Sequence, residues 1–339
     1  MATAPVTIDL AFHGDPRRIA VAAHEIEQRG GVGGLFVAEA RHDPFLSLAL
    51  AASSTSALQL GTSIAIAFAR TPMTMAYSAY DLHRLAGGRT ILGLGSQIEP
   101  HIKYRYGMPW SKPAERMREY VTALRAIWDS WQTGDKLDFR GDFYTHTLMP
   151  PLFRPDPVDF PLPPIWLAGV GPKMISAAGA VADGLICHPL VSQSYLSDVV
   201  TPIVHDSRIE GGRAAEPFTF ATMAMVATGR TEETLLDAIA GTRRQIGFYA
   251  STPAYKPVLD HHGWGALHDD AHDLTKAGRW AELADLIDDN VLDTFAVVGD
   301  IPSVGAGLRE RFAGVAERVT LSIPYDADDQ LGSEIAAAV

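Results

Sequence analysis

Eight short apolar runs, separated by stretches of helical period, constrain this chain of 339 residues more than anything else in it. They are VTIDLAF (6–12), GGLFVAE (33–39), LQLGTSIAIAF (58–68), TILGLGS (90–96), PIWLAG (164–169), GLICHP (184–189), FTFATMAMVA (218–227) and VTLSIPY (319–325). Runs that are apolar on both faces suit parallel strands covered by helices. Several intervening segments open with Asp-Pro or Thr-Pro and close on Gly, the usual start and stop of a helix. A strict alternation of eight strands with helices predicts an α/β fold of the (β/α)8 TIM-barrel type, with a doubly wound sheet as the alternative. The length allows a single domain over 1–339. Two insertions interrupt it: KLDFRGDFYTHT, which reads as a hairpin near 136–150, and a His- and Asp-rich, lid-like stretch near 251–290.

The formal net charge of −12 argues against a nucleic-acid partner, because binding to phosphate backbones requires a basic face. No apolar run reaches the length of a membrane span, and the amino terminus lacks the pattern of a signal peptide. With one cysteine, Cys187, the chain has no internal disulfide and fits a reducing cytoplasm. The expected partner is a small organic molecule.

In a barrel of this kind, chemistry gathers where strands end at their carboxyl side. Those positions are His13 after the first strand and EARHD (39–43) after the second. Ser63 and Ile64 lie in the third, Ser96 and Gln97 end the fourth, Gly169 to Gly171 end the fifth, and Cys187 and His188 end the sixth. AGVGPK places two glycines before a helix, so that exposed backbone amides and the helix dipole make an anion site. The same segment lacks the G-x-G-x-x-G spacing of a dinucleotide fold. Asp43 before Pro44 reads as a helix cap. Glu39 and His42 are candidates for hydrogen bonding or proton transfer, since imidazole titrates near neutral pH. His268 and His272 stand one helical turn apart, but no H-E-x-x-H pattern accompanies them; the segment reads as a loop over the mouth, and no metal is expected. Trp110, Tyr249 and Trp264 would make the substrate pocket partly aromatic. Trp128, Trp131, Met223 and Met225 read as core. No G-x-S-x-G elbow or Walker motif is present.

LQLGTSIAIAFARTP with GRTILGLGSQ, PIWLAGVGPKMISAAGAVADGLIC, and LDFRGDFYTHT together resemble the bacterial-luciferase-like flavin and deazaflavin oxidoreductases over nearly the whole chain. EARHDPFLSLALAA and the LGLGSQIEPHIKYRYGMPW segment are similar to a subgroup that uses coenzyme F420. The resemblance implies a phosphorylated cofactor, F420 or alternatively FMN, at the carboxyl end of the barrel. It also implies a non-proline cis peptide at Ser63-Ile64 behind the ring and phosphate contacts at Val170 and Gly171. A next-strand contact falls on Cys187 and His188, and an acidic residue beside the ring on Glu39. Hydride would move between the deazaflavin C5 and a small substrate, with His42 or His13 exchanging the proton; the alternative is an FMN-dependent monooxygenase. The family's catalytic histidine aligns with Ala40, and its sugar-phosphate lysine has no counterpart in HPLVSQ, so glucose 6-phosphate is not the expected substrate. Relatives of this kind associate, and a homodimer is expected.

Overall fold

The dipeptides that announce helices in the sequence do so in space. Asp43 accepts from the Phe45 amide at 2.8 Å, capping the helix Pro44–Ser54, and Thr71 accepts from the Thr74 amide at 3.2 Å, capping Pro72–Leu85. Each side chain satisfies an orphan donor of the first turn, and the proline that follows has no donor to lose. The computed structural model describes residues 6–339. Its strands are β1 (Thr7–Phe12), β2 (Gly34–Val37), β3 (Gln59–Thr62), β4 (Ala65–Ile66), β5 (Thr90–Gly95), β6 (Phe139–Arg140), β7 (Thr145–His146), β8 (Ile165–Ala168), β9 (Gly184–Ile186), β10 (Thr219–Ala227), β11 (Ala296–Val298) and β12 (Arg318–Ser322).

β1, β2, β3, β5, β8, β9, β10 and β12 pair in that order, all parallel, and β12 returns to β1. The barrel is therefore closed, with eight staves and surrounding helices: a (β/α)8 fold. β6 and β7 form an antiparallel hairpin apart from it. β11, which the apolar pattern does not reveal, lies outside the closed ring. β10 pairs with β9 through Thr219–Ala221 and with β11 through Met225–Ala227, so the sixth and seventh staves part toward the mouth.

Alternation along each stave sends one set of side chains outward, where Ile8, Leu35, Leu60, Leu94 and Leu185 pack beneath the helices, and the other set inward. The inner set forms its own cluster of Phe36, Ile91, Trp166, Ile186 and Ala221. Phe36 and Trp166 stack at 6.0 Å. Beneath them Arg318 bonds Asp9 at 2.5 and 2.9 Å and reaches Gln59, its guanidinium lying over both rings. Trp128, Trp131 and Met225 are buried as expected, whereas Met223, also expected in the core, is only partly buried.

The 251–290 stretch differs from the loop that its glycines suggest. It is largely helical, with helices at Lys256–His261 and Gly265–Lys276. His268 is buried and its Nδ1 bonds the Ala250 carbonyl, while His272 Nδ1 bonds that of Ser251. The two imidazoles cap the end of the helix Glu232–Ala250. Among the described residues no three or more His, Cys, Asp or Glu are grouped as metal ligands would be, and no helix is long and apolar enough to cross a membrane.

Candidate active site

The third stave is broken where the mouth begins. Thr62 Oγ1 bonds the Gly93 carbonyl at 2.7 Å, the Ser63-Ile64 peptide is cis, and the chain resumes as β4 opposite Leu94 and Gly95. Glycines on β5 admit this bulge. A Cβ at Gly93 would fall 1.9 Å from the Thr62 carbonyl oxygen, and one at Gly95 would fall 2.9 Å from the Ile64 side chain. Ser63 N donates to the Val37 carbonyl, and Glu39 N to that of Ile64, each within 3.0 Å.

Glu39 braces the same bulge from the side. Its Oε2 accepts from Ile66 N at 2.8 Å and from Arg70 Nη1 at 2.6 Å, and Arg70 Nη2 reaches Asp43 at 2.7 Å. With its side chain 7 % exposed, Glu39 is engaged by the Ile66 amide and by an arginine. Tyr106 crowds the carboxylate, and burial with that neighbouring charge raises the phenol's pKa. Sequence reasoning missed Arg70 and Tyr106; the signal for the first is a lone arginine closing FAR at the mouth end of the third stave.

At the end of β5, Ser96 Oγ donates to the Gln97 carbonyl and Gln97 Oε1 accepts from Ile98 N, both at 3.0 Å. These side chains shape their own turn, in which Gln97 takes a left-handed φ of 58°. After β8, Gly169 fits tightly against the first turn of the helix Pro172–Val181, where a Cβ would lie 3.2 Å from the Ile175 nitrogen. Gly171 is the opposite case, exposed, with nothing within 4 Å of a Cβ placed there. The helix has no side-chain cap, and among the described residues the Val170 and Gly171 amides have no backbone acceptor. Two such N–H groups at a helix start are a candidate anion site.

After β9 the alternation separates two expected neighbours. Cys187 turns outward into the helix-packed core, where burial pushes its thiol up to about 12. That corrects the expected contact: its side chain does not face the mouth. Native protein should resist thiol reagents and react only on unfolding; rapid labelling of the folded chain would show that this orientation is wrong. His188 stacks on Tyr255 at 4.0 Å and meets Tyr249 edge-on at 4.5 Å. Its Nδ1 accepts from Leu190 N, so the proton of the neutral ring lies on Nε2. Burial lowers its pKa to about 3. Below pH 6.5 the unfolded chain binds a proton that the fold refuses, so this group's contribution erodes as pH falls from 6.5 toward 3 and is full above 6.5. Imidazole NMR of His188 should show no titration from pH 8 down to 5.

Around the ring these features occupy five consecutive staves, from β2 to β9. The remaining arc, β10, β12 and β1, lines a cavity of about 750 Å³ whose mouth end holds His13, Met223, Ser322, Gln245 and Tyr249. Crowding lowers the His13 pKa and keeps the ring neutral at pH 7. His42 is exposed and is not among the residues lining this cavity. Trp110 packs edge-on against Phe68, and Trp264 stacks on His262; of the three expected pocket aromatics, Tyr249 lines the cavity.

A family model described as luciferase-like monooxygenase matches residues 4–318. An uncharacterized protein of Mycobacterium tuberculosis is 50% identical over 89% of this chain and 88% of its own length. A protein of the same organism, named as a putative coenzyme F420-dependent oxidoreductase, is 30% identical over 81% of this chain and 82% of its own. Among solved structures, the coenzyme F420-dependent tetrahydromethanopterin reductase of Methanopyrus kandleri superposes with a TM-score of 0.79 at 19% identity, covering 100% of this chain and 99% of that one. The oxygenating component of a Pseudomonas putida diketocamphane monooxygenase, in complex with FMN, gives 0.67 at 17%, with 99% of each covered. The structural likenesses are likenesses of fold.

Proposed function

The chain belongs to the luciferase-like monooxygenase family, and from that premise we propose that it is a coenzyme F420-dependent oxidoreductase. It transfers a hydride between the deazaflavin C5 and a small organic substrate. The observation that carries this reading is the amide pair at Val170 and Gly171, on the same arc of the mouth as the glycine-backed bulge at Ser63-Ile64. The residues fit a group with an anionic tail and a flat ring: the amides would take the phosphate, and the bulge would support the ring. The relative named as a putative F420-dependent oxidoreductase supports the choice of cofactor.

The deazaflavin supplies a carbon centre that gives and takes hydride; the chain supplies position and exclusion of solvent. Glu39 and Arg70 hold the bulge, and neutral His13 exchanges the proton at the substrate oxygen. Replacing His13 by Ala should lower kcat by about 100-fold or more, the usual worth of a positioned acid–base group, with little change in cofactor affinity. His42→Ala should leave both near wild type. The reverse ranking would return the role to His42.

The family description favours a second reading, an FMN-dependent monooxygenase, whose cofactor would set its phosphate against the same amides. Fluorescence titration of the purified protein with each cofactor separates them. F420 binding with weak or no response to FMN supports the proposal; tight FMN binding with indifference to F420 replaces it.

A further inference from the structure

The cavity on the β10–β12–β1 arc does not end at the mouth. It continues as a cleft between the helix Ile19–Arg29 and the segment from Ile323 to Gly332, floored by Leu10, Leu35, Leu321 and Ile26. At about 750 Å³ it suits a ligand of ten or more heavy atoms, not a two- or three-carbon metabolite. Its two ends differ chemically. The mouth end offers uncharged polar groups, the His13 imidazole, the Ser322 hydroxyl and the Gln245 amide, together with the exposed charges of Arg17, Arg18, Asp328 and Asp329. The far end offers aliphatic carbon, and Gly332 keeps it open there, since a Cβ would come 2.9 Å from Leu10 Cδ2.

Charge sharpens the class of ligand. Six ionisable side chains other than His13 and the tyrosines line the cavity, and each has a partner. Arg17 pairs with Asp15, Arg18 with Asp329, Arg29 with Glu25, and Asp328 with Arg230. An ionised arm would have to displace one of these partners to gain a counter-charge, and would lose its own solvation against the aliphatic floor.

We propose that this cleft is the subsite for an uncharged alkyl or acyl arm of the substrate, whose neutral carbonyl or hydroxyl oxygen lies at the His13–Ser322 end. The substrate class is a lipophilic ketone or alcohol rather than a phosphorylated or acidic metabolite. This deepens the oxidoreductase reading and rests on it for the oxygen's role, but the arm's binding can be measured without cofactor.

Calorimetric titration of the apo protein with pentan-2-one, octan-2-one and decan-2-one, and with decanoate, tests it. Affinity should rise with chain length, up to about fourfold per methylene, the factor that corresponds to ~0.8 kcal/mol per buried CH2. Decanoate should bind at least about tenfold more weakly than decan-2-one, the factor that ~1.4 kcal/mol of desolvation supplies. Ala22→Trp, which fills the cleft from an intermediate position on its helix wall, should erase the chain-length gain while pentan-2-one binding persists. Equal affinity along the series, or preference for decanoate, overturns the proposal. So does an Ala22→Trp protein whose ketone binding is unchanged but whose sedimentation shifts to a smaller species, because the cleft would then be covered by a second copy. Failure of the F420 titration alongside a normal ketone series would instead discard the cofactor reading and keep the cleft.

Discussion

Asp9→Ala should destabilise the protein by about 3–5 kcal/mol at pH 7, measured by urea denaturation, although the residue lies on no surface and touches no candidate ligand. Asp9 is 1% exposed inside the barrel, and the Arg318 side chain is 13% exposed. Their bonds at 2.5 and 2.9 Å are charge-assisted and shielded from water. Removing the carboxylate leaves a guanidinium with Gln59 and two ring faces, which solvate a full charge poorly. The converse variant, Arg318→Leu, behaves differently with pH. Burial already raises the Asp9 pKa to about 6 against the opposing pull of Arg318, so the arginine's loss raises it further. A raised folded pKa means that the fold holds a proton the unfolded chain has released. Stability must therefore fall as pH rises, by up to ~1.4 kcal/mol per unit between the unfolded and folded pKa values. In the wild type that window runs from about 3.8 to about 6; in Arg318→Leu it should extend past neutrality. Replacing both residues by apolar ones should cost less than Asp9→Ala alone. A loss below 1 kcal/mol in Asp9→Ala would mean that the pair is hydrated and that the stacked Phe36–Trp166 layer above it stands without this support.

That pair also marks where sequence stops being informative. The eight staves are legible because each is a contiguous apolar run between helix signals, and burial on both faces leaves little else for such a run to be. The anion turn is legible for a local reason: two glycines and a proline within AGVGPK set the backbone themselves. Asp9 and Arg318, by contrast, are 309 positions apart, and only closure of the ring brings β12 beside β1. Arg70 is local enough to see, but its partner Glu39 is 31 residues away, and the bond depends on how the bulge bends. β11 is too short to announce itself, with three residues that continue a helical stretch and become a strand because β10 offers an open edge there. The helical 251–290 region was hidden by composition. His and Asp read as polar loop until burial of His268 and Ala271 shows one face of a helix against a neighbour. Cys187 and His188 are adjacent in sequence, yet where the chain runs on from β9 toward Ala221 neighbouring side chains turn to opposite sides.

The second large effect belongs to Gly171, and it separates folding from binding. Gly171 has φ −88°, which any residue adopts, and a Cβ there meets no atom within 4 Å. It also occupies the N-cap position of the helix Pro172–Val181, which lacks a side-chain cap. Gly171→Asp should therefore fold normally and gain a few tenths of a kcal/mol, because a carboxylate at that position accepts from the first-turn amides. The same carboxylate would lie where the proposed phosphate goes. Like charges about 4–5 Å apart at an effective dielectric of about 20 repel by ~3–4 kcal/mol, so the cofactor's dissociation constant should rise by several hundredfold. Gly171→Asn supplies the cap without the charge and should raise it by about tenfold, through lost space and competition for the amides. Because the Asp variant is at least as stable as the parent, weakened binding could not be ascribed to damage. If Gly171→Asp bound cofactor within threefold of wild type, the phosphate would have to lie elsewhere on the rim, and the amides of Val170 and Gly171 would be no more than the opening of a helix.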